Sequence, residues 1–129
     1  MVWVDIVGLL AVVQFFLIGV MVGWARGKYG VAAPAVTGHP IFERHYRVQL
    51  NTVETLLVLL PALWLAAKYW PPAYAAILGT VYLVGRTIYY YSYISNPGKR
   101  SAGFGLSMGP ALLLVLAAMV GALRALLHG

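Results

Sequence analysis

Apolar positions run in four long stretches, separated by short clusters of Gly, Pro and charge. The first stretch covers Ile6 to Ala25 and is interrupted only by Gln14. At about 1.5 Å per residue it spans roughly 30 Å, the thickness of a bilayer's hydrocarbon layer. Trp24 and Arg26 close it with an interfacial aromatic and a cation. Gly27, Gly30, Pro34, Gly38 and Pro40 predict a loop. A second helix is predicted from Pro40 or Ile41 to Tyr69, with its proline in the first turn. It is longer than the hydrocarbon requires, so its charged first half projects into the headgroup zone or lines a cavity. Pro61 predicts a kink in it. Trp70-Pro71-Pro72 predicts a tight turn, followed by a third helix over Ala73 to Tyr93 that contains Arg86. Asn96-Pro97-Gly98 predicts another turn and leads through Lys99-Arg100 into a fourth helix, Phe104 to Leu123, with a bend at Pro110.

Composition turns these four helices into membrane spans. Of 129 residues, 62% are hydrophobic and only 9% charged, more apolar surface than a chain this short can bury. The expectation is an all-α, integral membrane bundle of four transmembrane helices in one domain, residues 1–129. With no cysteine, disulfides and thiolate metal ligands are excluded. His39, His45 and His128 have no metal-ligand spacing, so no metal is expected. The net charge of +6 comes without a soluble basic domain and argues against nucleic acid as a partner. The opening Met-Val-Trp-Val-Asp lacks the basic start and cleavage site of a signal peptide and reads as the beginning of a retained helix. Arg26, Lys28, Lys99 and Arg100 lie in loops one and three, which places those loops in the cytoplasm and both termini outside.

Polar chemistry is concentrated in Glu43 to Glu54, where twelve residues include Glu43, Arg44, Arg47, Gln49, Asn51 and Glu54. Polar groups so close to hydrocarbon are costly and point to function. At 100° per residue Arg47, Asn51 and Glu54 fall within about 60° of one another, and Glu43 and Arg44 join that face. Gln49 lies roughly 200° round from Arg47, where it is useful to a neighbouring copy in a symmetric oligomer. Arg86, Tyr89 and Tyr93 share a face of the third helix, and Arg100 follows the next turn. Tyr90 and Tyr91 point elsewhere and read as an aromatic belt. The bland alternatives are an i, i+4 pair for Glu43–Arg47, headgroup contacts for Lys28 and Lys99, and a bundle brace for Arg86 through an acidic residue or a carbonyl. Arg26 is equally a topology charge and a site residue. Arginines suit ligand carboxylates, and a glutamate suits an ammonium. Glutathione offers two carboxylates, an amino group and a thiol whose reactive form is the thiolate.

The run Glu-Arg-His-Tyr-Arg-Val-Gln-Leu-Asn-Thr-Val-Glu resembles the E-R-x-x-R-x-Q-x-N-x-x-E signature of the MAPEG family, the membrane-associated proteins in eicosanoid and glutathione metabolism. Ala25-Arg26, Thr37-Gly38 before Pro40, Val81-Tyr82-Leu83 with Arg86, the Tyr89/Tyr93 pair and Arg100 also stand at family-like positions. The resemblance implies a homotrimer with glutathione as co-substrate in sites between subunits. Arg47, Asn51, Glu54, Tyr89 and Tyr93 of one subunit would bind glutathione, with Arg26 and Gln49 supplied by its neighbour. Arg100 would be the catalytic residue that stabilises the thiolate. Thr55 replaces the tyrosine that leukotriene synthases of the family carry after the motif glutamate, and Gly27 replaces a second arginine. Those departures point away from leukotriene synthesis.

The resulting expectation is a glutathione transferase acting on lipophilic electrophiles, with peroxidase activity toward hydroperoxides. Its membrane is the inner membrane of a prokaryote or the endoplasmic reticulum of a eukaryote, with the site near the cytoplasmic face. The alternative is a non-catalytic lipid-binding scaffold of the same fold. A transporter or channel fits less well, because the charges crowd at one end and do not thread the bilayer.

Overall fold

The computed structural model describes all 129 residues, and they form four helices. Helix α1 spans Val2–Tyr29, α2 Pro40–Tyr69, α3 Pro72–Ser95 and α4 Ser101–His128. A single 3-10 turn, Pro97–Lys99, links the last two. Helix α2 keeps its predicted bounds, whereas α1, α3 and α4 run beyond their predicted apolar stretches, because backbone hydrogen bonding continues where hydrophobicity stops. Gly27 was expected to open the first loop but remains helical. The break comes at Gly30, which takes the left-handed conformation (φ 69°) that glycine adopts without strain. The residues after it are tied down: Arg26 Nη1 donates to Ala35 O at 2.6 Å, and Gly38 N–H donates to Glu43 Oε2 at 3.2 Å.

Pro40 begins α2 as predicted, and His39 Nδ1 accepts from Ile41 N–H at 3.1 Å. Helix α2 continues through Pro61, and α4 through Pro110. Arg44 crosses to the far end of α3, where Nη1 donates to Ile94 O at 2.9 Å and to Ser95 O at 3.4 Å. It thereby satisfies carbonyls that a helix C-terminus leaves without partners, and its charge suits the negative end of the helix dipole. Asn96 holds the next turn by accepting from Gly98 N–H at 3.0 Å.

Leu59, Leu63, Tyr82 and Leu114 form the centre of the bundle, with Val4 and Ala11 added from α1. Helices α3 and α4 approach most closely at two glycines. A Cβ on Gly85 would strike the backbone of Leu106, and one on Gly103 would strike the backbone of Tyr89. Outward from the core, Leu9, Val13, Phe16, Leu17 and Val20 of α1 are exposed, as are Leu112, Leu113, Leu116 and Met119 of α4. Helices α1, α2 and α4 are long and apolar enough to cross a membrane. Helix α3 carries Arg86 and six tyrosines, yet Arg86 is completely buried and Ile77, Val81, Val84 and Ile88 face outward.

The Gly103 contact generates a paired prediction. Gly103→Ala should lower the melting temperature in detergent, consistent with an overpacking cost of about 1–3 kcal/mol. Gly105, with nothing near its Cβ position, should accept the same change with neutral or slightly higher stability.

Candidate functional site

Arg47, Asn51 and Glu54 project from one face of α2, as the i, i+4, i+7 spacing requires. Opposite them stand Tyr89 and Tyr93 of α3, with ring centroids 5.6 Å apart. Arg100 and Phe104 enter from the start of α4. With Leu50 these side chains line a cavity of about 350 Å³. Arg47, Glu54 and Arg100 lie at its open side, Asn51 and Tyr93 are half-buried, and Tyr89 is buried. Arg100 Nη1 donates to Pro97 O at 3.0 Å, which ties its guanidinium to the turn between α3 and α4. Arg100 and Phe104 also border a second cavity, about 400 Å³, that includes Ser101 and Gly105. Six of the eight residues expected at a site thus meet in one cavity on a single chain.

The other two do not enter it. Arg26 serves the first loop through Ala35 and sits 4.8 Å over the Phe42 ring. Gln49 turns toward α1, where a Cβ on Gly19 would lie 3.2 Å from its Nε2. Glu43 and Arg44 were expected on the cavity face, but their bonds to Gly38 and to the end of α3 take them elsewhere. The proposed Glu43–Arg47 pair gives way to the same Gly38 contact. Tyr91 is exposed, whereas Tyr90 is half-buried with its hydroxyl 3.2 Å from Nδ1 of buried His45.

Arg86 lies directly behind the cavity, and its partners differ from those expected. It pairs with no acidic residue and no backbone carbonyl; the one carbonyl it meets is the side-chain amide of Asn51. Nη1 donates to Asn51 Oδ1 at 2.7 Å and to Thr52 Oγ1 at 3.4 Å. Nη2 donates to Thr55 Oγ1 at 3.2 Å and to Ser107 Oγ at 2.9 Å. The Tyr89 ring covers the guanidinium at 4.4 Å. Each hydroxyl directs its own proton to the carbonyl four residues earlier: Thr52 to Val48, Thr55 to Asn51, Ser107 to Gly103. Their lone pairs are therefore free to face Arg86, so three oriented neutral dipoles take the place of a counter-ion. Asn51, Thr52 and Thr55 share a helical face, which was the available sequence signal. Threonines in apolar helices rarely attract notice as arginine ligands.

The cavity brings together two guanidinia, a carboxylate, an amide and two phenols. That set suits a small zwitterion with more than one carboxylate: the guanidinia pair with carboxylates, Glu54 with an ammonium, and the amide and phenols with neutral polar groups.

Comparison with known proteins identifies the family. The profile of the MAPEG family matches residues 5–120. Human microsomal glutathione S-transferase 2 is 42% identical over 89% of this chain and 78% of its own length. An uncharacterised protein of Synechocystis is 44% identical over 92% of this chain and 86% of its own. Guinea-pig (Cavia porcellus) leukotriene C4 synthase is 37% identical over 77% of this chain and 66% of its own. The protein belongs to the MAPEG family.

Because Thr55 and Ser107 serve the same nitrogen of Arg86, their losses should be coupled. Thr55→Val and Ser107→Ala should each cost about 1–3 kcal/mol. The double variant should depart from additivity by roughly 0.5–3 kcal/mol in thermal unfolding in detergent.

Proposed function

We propose that the protein is a membrane-bound glutathione S-transferase that ionises the thiol of glutathione and adds it to lipophilic electrophiles. The observation that carries this reading is the convergence of Arg47, Asn51, Glu54, Tyr89, Tyr93 and Arg100 on one cavity in a chain of this family. Arg47 takes a ligand carboxylate, Glu54 the ammonium, and Asn51 and the tyrosines the peptide groups. Arg100 holds the thiolate. A guanidinium beside a thiol favours its ionised form, and the uncapped start of α4 adds the positive end of a helix dipole at the same place. The thiolate sulfur then bonds to the electrophilic carbon, whose leaving group departs with the electron pair. With a hydroperoxide it attacks the outer oxygen, an alcohol leaves, and a second glutathione closes the disulfide with release of water.

In this reading the assembly is a homotrimer with a site at each subunit boundary. Gln49, turned away from its own cavity, and Arg26 on the same side of the chain are then offered to the neighbour. Helix α3 crosses the membrane with the other three, its charge inside and its aliphatic side chains toward lipid. The polar cavity faces the cytoplasm, and the acceptor enters from the bilayer through the second cavity beside Phe104. The family also suits a lipid-binding scaffold without chemistry. The observation in its favour is an apolar groove of about 340 Å³ between α2 and α4, lined by Val58, Pro61, Leu65, Val115 and Met119.

Thiolate absorbance separates the two. Adding glutathione to the solubilised protein should generate a thiolate signal at neutral pH. Arg100→Ala should cut that signal and the conjugation rate by about tenfold or more while glutathione affinity changes less. Full activity in that variant would remove Arg100 from the role, and a silent wild type would favour the scaffold. Native mass measurement should find three chains per particle, and a monomer would refute the shared site.

A further inference from the structure

Arg86 is completely buried, and none of the three acidic residues bonds to it. Asp5 is held by Trp64, Glu43 by Gly38, and Glu54 faces the cavity. The residues packed against the guanidinium are Asn51, Thr52 and Thr55 of α2, Tyr82 and Tyr89 of α3, and Ser107 of α4. The only titratable groups among them are the two tyrosines. Nε has no hydrogen-bond partner within the chain. Its neutral partners solvate the charge without cancelling it, so its field remains strong in its surroundings and poorly screened.

Two of its contacts are cavity walls. Asn51 presents its carbonyl end to Arg86, which leaves the NH2 end for the cavity, and Tyr89 lies between the guanidinium and the cavity. Among the lining residues Arg47 and Arg100 are positive and Glu54 negative, a net charge of one. Arg86 behind them raises it to two. Glutathione carries one net negative charge as the thiol and two as the thiolate.

We infer that Arg86 is a positioning residue for this site: it orients Asn51 as a donor, and its unneutralised charge favours the doubly negative thiolate form of the bound ligand. The inference rests on the glutathione reading above. It assigns ionisation to two arginines with different duties: Arg100 touches the ligand, and Arg86 acts through Asn51 and Tyr89.

Ser107→Asp tests the charge without removing the guanidinium. The new carboxylate would stand where Ser107 Oγ now accepts from Nη2 at 2.9 Å, giving Arg86 its missing counter-ion. Arg86→Gln removes the charge, and Arg86→Lys keeps it. The readouts are thiolate absorbance of bound glutathione across pH, and calorimetric affinity for S-methylglutathione, which has no thiol to ionise. Ser107→Asp and Arg86→Gln should raise the apparent thiol pKa by about 1, roughly a tenfold loss of thiolate below that pKa. Affinity for S-methylglutathione should fall less than threefold, and Arg86→Lys should titrate near wild type. A brace with no electrical role would be strengthened by Ser107→Asp and would leave the thiol unchanged. An unshifted titration in Ser107→Asp overturns the inference even if Arg86→Gln fails to fold. So does a parallel loss of thiolate and S-methylglutathione affinity. A wild type that binds neither compound would instead refute the glutathione reading itself.

Discussion

A single positive charge enclosed by neutral groups governs this bundle. Arg86 could be stabilised by a carboxylate, but in this fold none of the chain's acidic residues bonds to it. Its hydrogen bonds draw on α2 and α4 at once, through Asn51, Thr52, Thr55 and Ser107. Three helices must therefore reach their final depth and rotation before the charge is satisfied. Apolar packing alone is tolerant of sliding in a membrane, where lipid competes on equal terms with side chains. A fixed set of acceptors is not. Asn51, one of those acceptors, and Tyr89, which covers the guanidinium, also line the cavity, so stability and cavity geometry are linked here.

The helices were legible in the sequence because hydrophobicity and turn residues declare them. Pro40, the Trp70-Pro71-Pro72 turn and Asn96-Pro97-Gly98 each fell where a helix begins or ends. Helix ends were less legible where glycine is ambiguous: Gly27 and Gly30 look alike on paper, and only the backbone conformation separates them. Helical phase placed Arg47, Asn51 and Glu54 together, and it turned Gln49 away. It misplaced Glu43 and Arg44, because long side chains near a helix start can reach past their own face to unpaired backbone groups. The partners of Arg86 were hidden for a different reason. Hydroxyls serve as ligands only where helix packing brings their oxygens within reach of the guanidinium, a three-dimensional condition with no one-dimensional signature.

The site itself is divided between what is tethered and what is loose. Tyr89 is packed between α4 and a guanidinium, and Asn51 is held by a charge-assisted bond. Arg47 and Glu54 extend from α2 into open space at the rim. Such a division lets the inner wall define a ligand's pose while the outer charges adjust as it arrives. Arg100 stands between these extremes, anchored to the turn at Pro97 yet exposed enough to reach inward.

Gln14 bears on how the chain assembles. Its side-chain amide donates to Leu83 O at 3.0 Å and to Thr87 Oγ1 at 3.1 Å, both on α3. Helix α1 leaves the ribosome before α3, yet the groups that receive its one mid-span amide lie about seventy residues later in the chain. Until α3 is made, that amide has no partner within the bundle, and an unpaired polar group in hydrocarbon is costly. One polar contact of α1 is therefore completed late. Helix α2 can hold α1 at Asp5 through Trp64, but the mid-span amide waits for α3.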